Sequence, residues 1–171
     1  MRNHFELFHL PPQFALDMHA LDAAYREVQN RVHPDKFINA SGAEKRVAMQ
    51  WATRANEAYQ TLKNPLKRAA YMCALHGVDL QTESNTAMPM AFLMQQMEWR
   101  EALEDARMQK NVAALEALES QLHLQRAALL TQINAVLDAG DYHQAAQDVR
   151  QLMFLEKFGE EVSFAFEASE A

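Results

Sequence analysis

Glycine and proline are scarce in this chain, with four and five residues respectively in 171, against usual shares of about 7% and about 5%. A β-sandwich or barrel needs more turn residues than that. There is one cysteine, Cys73, which excludes a disulfide framework and any cysteine-built zinc or iron–sulfur site within a single chain. No apolar stretch approaches 18 residues, so no membrane span is expected. Positive charge is also in short supply: 16 Lys/Arg face 23 Asp/Glu, for a net charge of −7. Nucleic acid and anionic membranes both require a cationic footprint and are therefore not expected as partners. The segment from Met1 to Leu10 is charged and lacks a signal-peptide layout. Together these absences predict a soluble protein of a reducing, cytoplasmic compartment.

Catalytic signatures are missing too. Neither a G-x-G-x-x-G turn nor a P-loop lysine occurs. None of the seven histidines lies three or four residues from another, so no helix-borne metal site is indicated. Carboxylates are dense over residues 98–105, but with no histidine partner they read as a solvated or partner-facing surface rather than a catalytic pair. We expect no enzyme activity, no metal and no cofactor.

What is present favours helices. Apolar residues make up 49% of the chain, enough for a core, and Ala, Leu, Gln, Glu and Met, all at ease in a helix interior, dominate. The charge is unevenly spread. Residues 1–77 hold ten Lys/Arg and seven Asp/Glu, a balance of +3; residues 78–171 hold six and sixteen, a balance of −10. Such asymmetry suggests two modules with different partners.

Along the chain, Phe5 to Leu10 is a short apolar piece stopped by Pro11-Pro12. Asp17 can cap a helix with the stripe Leu21, Tyr25, Val28 and Val32, which Pro34 ends. Residues 33–40 read as a loop. Ser41-Gly-Ala-Glu44 forms a capping-box pattern for a helix burying Ala48, Trp51 or Ala52, Ala55, Tyr59 and Leu62. Asn64-Pro65 starts a further helix that ends at His76-Gly77, and on it Cys73 reads as a buried small hydrophobe rather than a reactive thiol.

Residues 78–88 are polar and aperiodic and read as a linker. Pro89 can open a helix through Met90, Phe92, Leu93, Met97, Arg100 and Leu103 to about Lys110. A second follows with Leu115, Leu118, Leu122, Leu129, Ile133 and Val136 or Leu137. Asp138-Ala-Gly140-Asp141 is a tight turn into a third, through Tyr142, Ala145, Val149, Leu152, Met153 and Phe158. Residues 160–171 alternate apolar and acidic without a clear state. The expected architecture is all-α, with residues 1–77 forming a helical hairpin plus short helices and 89–171 an acidic antiparallel three-helix bundle.

The informative motif is His33-Pro34-Asp35-Lys36-Phe37, placed in the loop between two antiparallel helices. Polar interhelical turns are common, but here the turn is framed by a Leu7-Phe8-x-Leu10 opening and by Ala55-Asn56-Glu57-Ala58-Tyr59-Gln60-Thr61-Leu62-Lys63-Asn64-Pro65. From Phe5 to about Gly77 the sequence resembles a J domain, the module through which co-chaperones activate DnaK-class ATPases. The glycine/phenylalanine linker and cysteine-rich modules of most J proteins are lacking. Asn64-Pro-Leu-Lys-Arg-Ala69, Leu75-His-Gly77, Ala91-Phe-Leu-Met94 and Arg150-x-Leu-x-Phe-Leu-x-Lys157 make nearly the whole chain resemble the HscB family of iron–sulfur assembly co-chaperones.

That resemblance implies two sites and no catalytic residue. His33, Pro34, Asp35 and Lys36, with Arg26 and Arg31 on the preceding helix, would contact an HscA-type chaperone ATPase. Leu93, Met94, Met97, Glu98, Glu101, Asp105 and Phe154 would bind an IscU-type iron–sulfur scaffold protein. Met97 and Asp105 stand where the family pattern has leucine and glutamate, and both replacements keep the chemistry. Periodicity alone leaves open whether Leu93 and Met97 are surface or core. A general J-domain co-chaperone for unfolded clients is the alternative.

Overall fold

The computed structural model describes residues 2–80 and 88–170. It divides into two compact units, Met1–Met72 and Cys73–Ala171, and the described residues are helical without strands. The linker expected at 78–88 falls largely on residues 81–87, which lie outside the described residues.

The first unit contains α1 (His4–Leu7), α2 (Met18–Arg31), a 3-10 turn (Pro34–Phe37) and α3 (Gly42–Lys63); α4 (Pro65–Leu75) starts in it, and the division falls within that helix. The caps fix the starts. Asp17 accepts from the His19 and Ala20 amides, Ser41 from Glu44, and Asn64 from Lys67. A complete capping box, beyond those expected, also occurs at Asn3 and Glu6. α2 and α3 run antiparallel: the Tyr59 hydroxyl donates to Asp22 at 2.8 Å, Tyr25 meets Asn56 at 3.2 Å, and the two tyrosine rings stack at 4.2 Å.

Phe5, Phe8, Phe14 and Leu21 pack with Ala55, Ala58 and Leu62 in the core. The α3 stripe therefore differs from the expected one. Ala58 takes an inward position, Tyr59 is half-buried, and Trp51 and Ala52 are exposed. Small residues at 55 and 58 let neighbouring helices approach, whereas Trp51 lies outside that contact with the Arg54 guanidinium over its ring. Arg68 is buried among these groups, donating to the Leu62 carbonyl at 2.6 Å and lying over the Phe14 ring.

The second unit is built on α5 (Met90–Gln109), α6 (Val112–Asp138) and α7 (Tyr142–Glu170). Lys110, in the left-handed conformation at φ 51°, ends α5, and Asn111 caps α6. Gly140, at φ 76°, turns the chain and Asp141 caps α7 through the Gln144 amide. Bonds from Gln132 to Asp148 and Arg126 to Glu156 set α6 against α7 in opposite directions. Ring contacts of Phe92 with Phe154 and Trp99 with Phe158 align α5 with α7 in the same direction. All six leucine and isoleucine positions expected for α6, with Leu137 taking the last, are buried.

α7 continues through the tail whose state the sequence left undefined, because Val162 and Ala165 extend its buried stripe; Phe164 is exposed and Phe166 half-buried. In this same unit the turn after α4 packs on the start of α7. The Cys73 thiol donates to the Tyr142 carbonyl, His76 stacks on the Tyr142 ring at 3.8 Å, and Arg150 donates to the Leu80 carbonyl.

Candidate functional site

Two exposed constellations stand out, one on each unit. The first is the turn between α2 and α3. The expected open loop is in fact structured at its start, because Pro34 has its backbone angle set for the first position of a helical turn. The His33 Nδ1 accepts from the Asp35 amide at 3.2 Å, and the His33 carbonyl accepts from the Lys36 amide at 2.9 Å. The Asp35 carboxylate lies 3.6 Å from His33 Nδ1 and is the more exposed of the two side chains. Short local bonds thus order the backbone of this turn, which presents a ring, a carboxylate and the Lys36 ammonium at the surface with less backbone freedom left to lose on binding.

Arg26 and Arg31 are exposed on α2, as a contact face requires. Arg31 pairs with Glu27 one turn earlier; such an exposed pair contributes only a few tenths of a kcal/mol and yields easily to another partner. Behind the turn, Val32, Pro34, Phe37, Ile38, Ala48 and Met49 line an apolar groove of about 510 Å³. No pattern in the sequence pointed to this groove in advance. Its mark in the structure is Ile38 and Met49, two apolar side chains left exposed among polar neighbours.

The second constellation lies on α5 and α7. The stripe that α5 buries is Phe92, Gln96, Trp99, Leu103 and Ala106. Leu93 and Met97 fall outside it, which settles them as surface: Leu93 is 42% exposed, Met94 56%, Met97 65% and Phe154 44%. Phe154 meets Phe92 edge-on at 6.4 Å and so reaches the first turn of α5. Glu98, Glu101 and Asp105 are exposed and form no ion pair among the described residues, whereas the nearby Arg100 is tied to Glu161 at 3.1 Å. From Leu93 to Asp105 the face runs roughly 18 Å along the helix. An apolar patch grading into unneutralised carboxylates suits a protein surface with an apolar centre and a basic rim. Exposed Met90 and Met153 add to the apolar supply and were not among the expected residues.

Among the described residues no cluster of three or more histidine, cysteine or acidic side chains is placed to hold a metal. Cys73 is buried, and burial pushes its thiol up to about 11, far from a reactive thiolate. No helix of the described residues is long and apolar enough to cross a membrane.

A helical hairpin holding His-Pro-Asp at its turn, followed by a helical bundle, is the build of a J-domain co-chaperone. The comparisons narrow that class. Residues 88–163 match the family model for the HSCB C-terminal oligomerisation domain. The chain is 60% identical over 168 residues to the co-chaperone protein HscB homolog of Burkholderia thailandensis, covering 98% of this chain and 96% of that one. Chaperone HscB from Vibrio cholerae superimposes with a TM-score of 0.86 at 37% identity, over 98% of this chain and 99% of that one. Human co-chaperone protein HscB gives a TM-score of 0.88 at 27% identity, over 96% and 82%. The chain belongs to the HscB co-chaperone family.

Proposed function

We propose that this protein is an adaptor of iron–sulfur cluster assembly in the cytoplasm. The module over residues 1–77 engages an HscA-type, DnaK-class chaperone, and the bundle over 89–171 holds an IscU-type scaffold protein. His33-Pro34-Asp35 stimulates ATP hydrolysis on the partner without touching nucleotide: Asp35 pairs with a cation of the ATPase, Pro34 fixes the turn, and Lys36, Arg26 and Arg31 steer the approach. The scaffold docks on Leu93, Met94, Met97 and Phe154, with Glu98, Glu101 and Asp105 answering its basic rim. The protein acts by contact and has no chemistry of its own.

The observation that carries this reading is the α5–α7 face, where apolar side chains that a core would have taken are left exposed beside free carboxylates. The test is steady-state ATPase activity of the chaperone with and without scaffold. Asp35→Asn should abolish most of the stimulation and leave stability within about 0.5 kcal/mol, since the carboxylate is exposed. Leu93→Ala with Met97→Ala should weaken scaffold binding in calorimetry by tenfold or more while the melting curve stays in place. Full stimulation by Asp35→Asn, or unchanged scaffold affinity, would refute the corresponding assignment. Stimulation by denatured polypeptides in place of scaffold would instead mark a general co-chaperone.

A further inference from the structure

The second unit distributes its methionines unlike its other apolar residues. Its buried apolar positions, Cys73 aside, are filled by Phe, Trp, Leu, Ile, Val and Ala. Met90, Met94, Met97, Met108 and Met153 are exposed and Met88 is half-buried, so among the described residues none of its methionines is buried. Three of them, Met90, Met94 and Met97, crowd the first two turns of α5. Leucine would serve the helix and the contact equally well. A thioether differs from leucine in its adaptability and in one chemical liability, a sulfur that accepts oxygen.

We infer that Met94 and Met97 are reversible oxidation sites through which hydroperoxides weaken scaffold docking. This rests on the docking reading above. In the reaction a sulfur lone pair attacks one oxygen of the hydroperoxide and the S–O bond forms as the O–O bond breaks. The remaining oxygen leaves with the protons as water or alcohol; sulfur loses two electrons and the peroxide gains them. A dithiol-dependent sulfoxide reductase returns the thioether, giving a disulfide and water.

Two features make the modification consequential. The exposed sulfurs lie within the apolar part of the docking face, where a sulfoxide oxygen needs a donor to be buried at low cost. The nearby ionised side chains Glu98, Glu101 and Asp105 are acceptors and supply none. Peroxide is not diverted to the lone thiol, because Cys73 is buried and holds its proton. Met72, buried at 5% exposure in the other unit, provides an internal reference for accessibility.

The experiment uses the full chain, a purified IscU-type scaffold and hydrogen peroxide. Peptide mapping should show a gain of about 16 Da at Met94 and Met97 well before Met72. Calorimetry should then show scaffold affinity reduced about tenfold or more, restored by the paired sulfoxide reductases. In a chain with Met94→Leu and Met97→Leu, the affinity measured after peroxide should equal that variant's own affinity before it. If the untreated protein does not bind scaffold, the docking reading falls and this inference with it. If the untreated protein binds and the sulfoxide form binds equally well, the inference alone is overturned. The same holds if the leucine variant loses affinity on peroxide treatment, since other sulfurs would then be responsible.

Discussion

Replacing Gln96 by methionine should make the bundle more stable. Gln96 lies in the buried stripe of α5 with 7% of its surface exposed, and both its amide nitrogen and oxygen are buried without a hydrogen-bonding partner among the described residues. A buried polar group left unpaired costs about 1–3 kcal/mol. Methionine keeps the unbranched shape and removes the amide; an imperfect fit costs less than about 1.5 kcal/mol. The expected net gain is therefore about 1 kcal/mol, which for a unit of this size raises the melting temperature by about 4–8 °C.

Trp99 offers a clean readout, because it is buried and stacked on Phe158 at 5.5 Å. Its fluorescence would be followed in a Trp51→Phe background, which removes the exposed indole of the other unit. The urea midpoint should rise with the slope unchanged. A midpoint that stays or falls would show that the amide is satisfied in the native bundle, and the reasoning would fail. Gln96→Glu gives the opposite test: a carboxyl there must shed water to ionise, so that variant should lose stability as pH rises from 4 to 8.

Asp148 supplies a second prediction. Burial raises its carboxyl pKa, partly offset by hydrogen bonds from Gln144 and Gln132. The folded state thus binds this proton more tightly than the unfolded state, so Asp148 favours folding in acid and that contribution disappears as pH rises through the folded value. Asp148→Asn keeps an oxygen for the two glutamine donors, which lie 3.0 and 3.1 Å away. It should be more stable than the parent at pH 7 in thermal melts, with the advantage shrinking toward pH 4. For Cys73, a disulfide reagent at pH 7.5 should leave the native thiol unmodified over hours and label it rapidly once urea unfolds the chain; fast native labelling would contradict its burial.

Much of the fold was legible because its signals are local. Asp17, Ser41, Asn64 and Asp141 each stand one residue before a helix and cap it as their side chains dictate. The α6 stripe is a single leucine-rich series with nothing competing for the inward face. α5 is different. Phe92-Gln96-Trp99-Leu103 and the Leu93-Met97 pair share one helical period and sit side by side, so spacing alone cannot say which faces α7; the aromatic contacts to Phe154 and Phe158 decide it. Trp51 misled for the complementary reason, since bulk suggests burial while the alanines on α3 are what permit close packing. The 3-10 turn at Pro34 was hidden because its cap is a histidine, a residue outside the usual capping set.

That cap fixes how the tip meets its surroundings. An imidazole accepting the Asp35 amide at Nδ1 keeps its single hydrogen on Nε2. The neutral ring is therefore a donor toward solvent, standing beside a carboxylate that can only accept. A matching partner must bring an acceptor and a cation together, a demand that few chance surfaces meet.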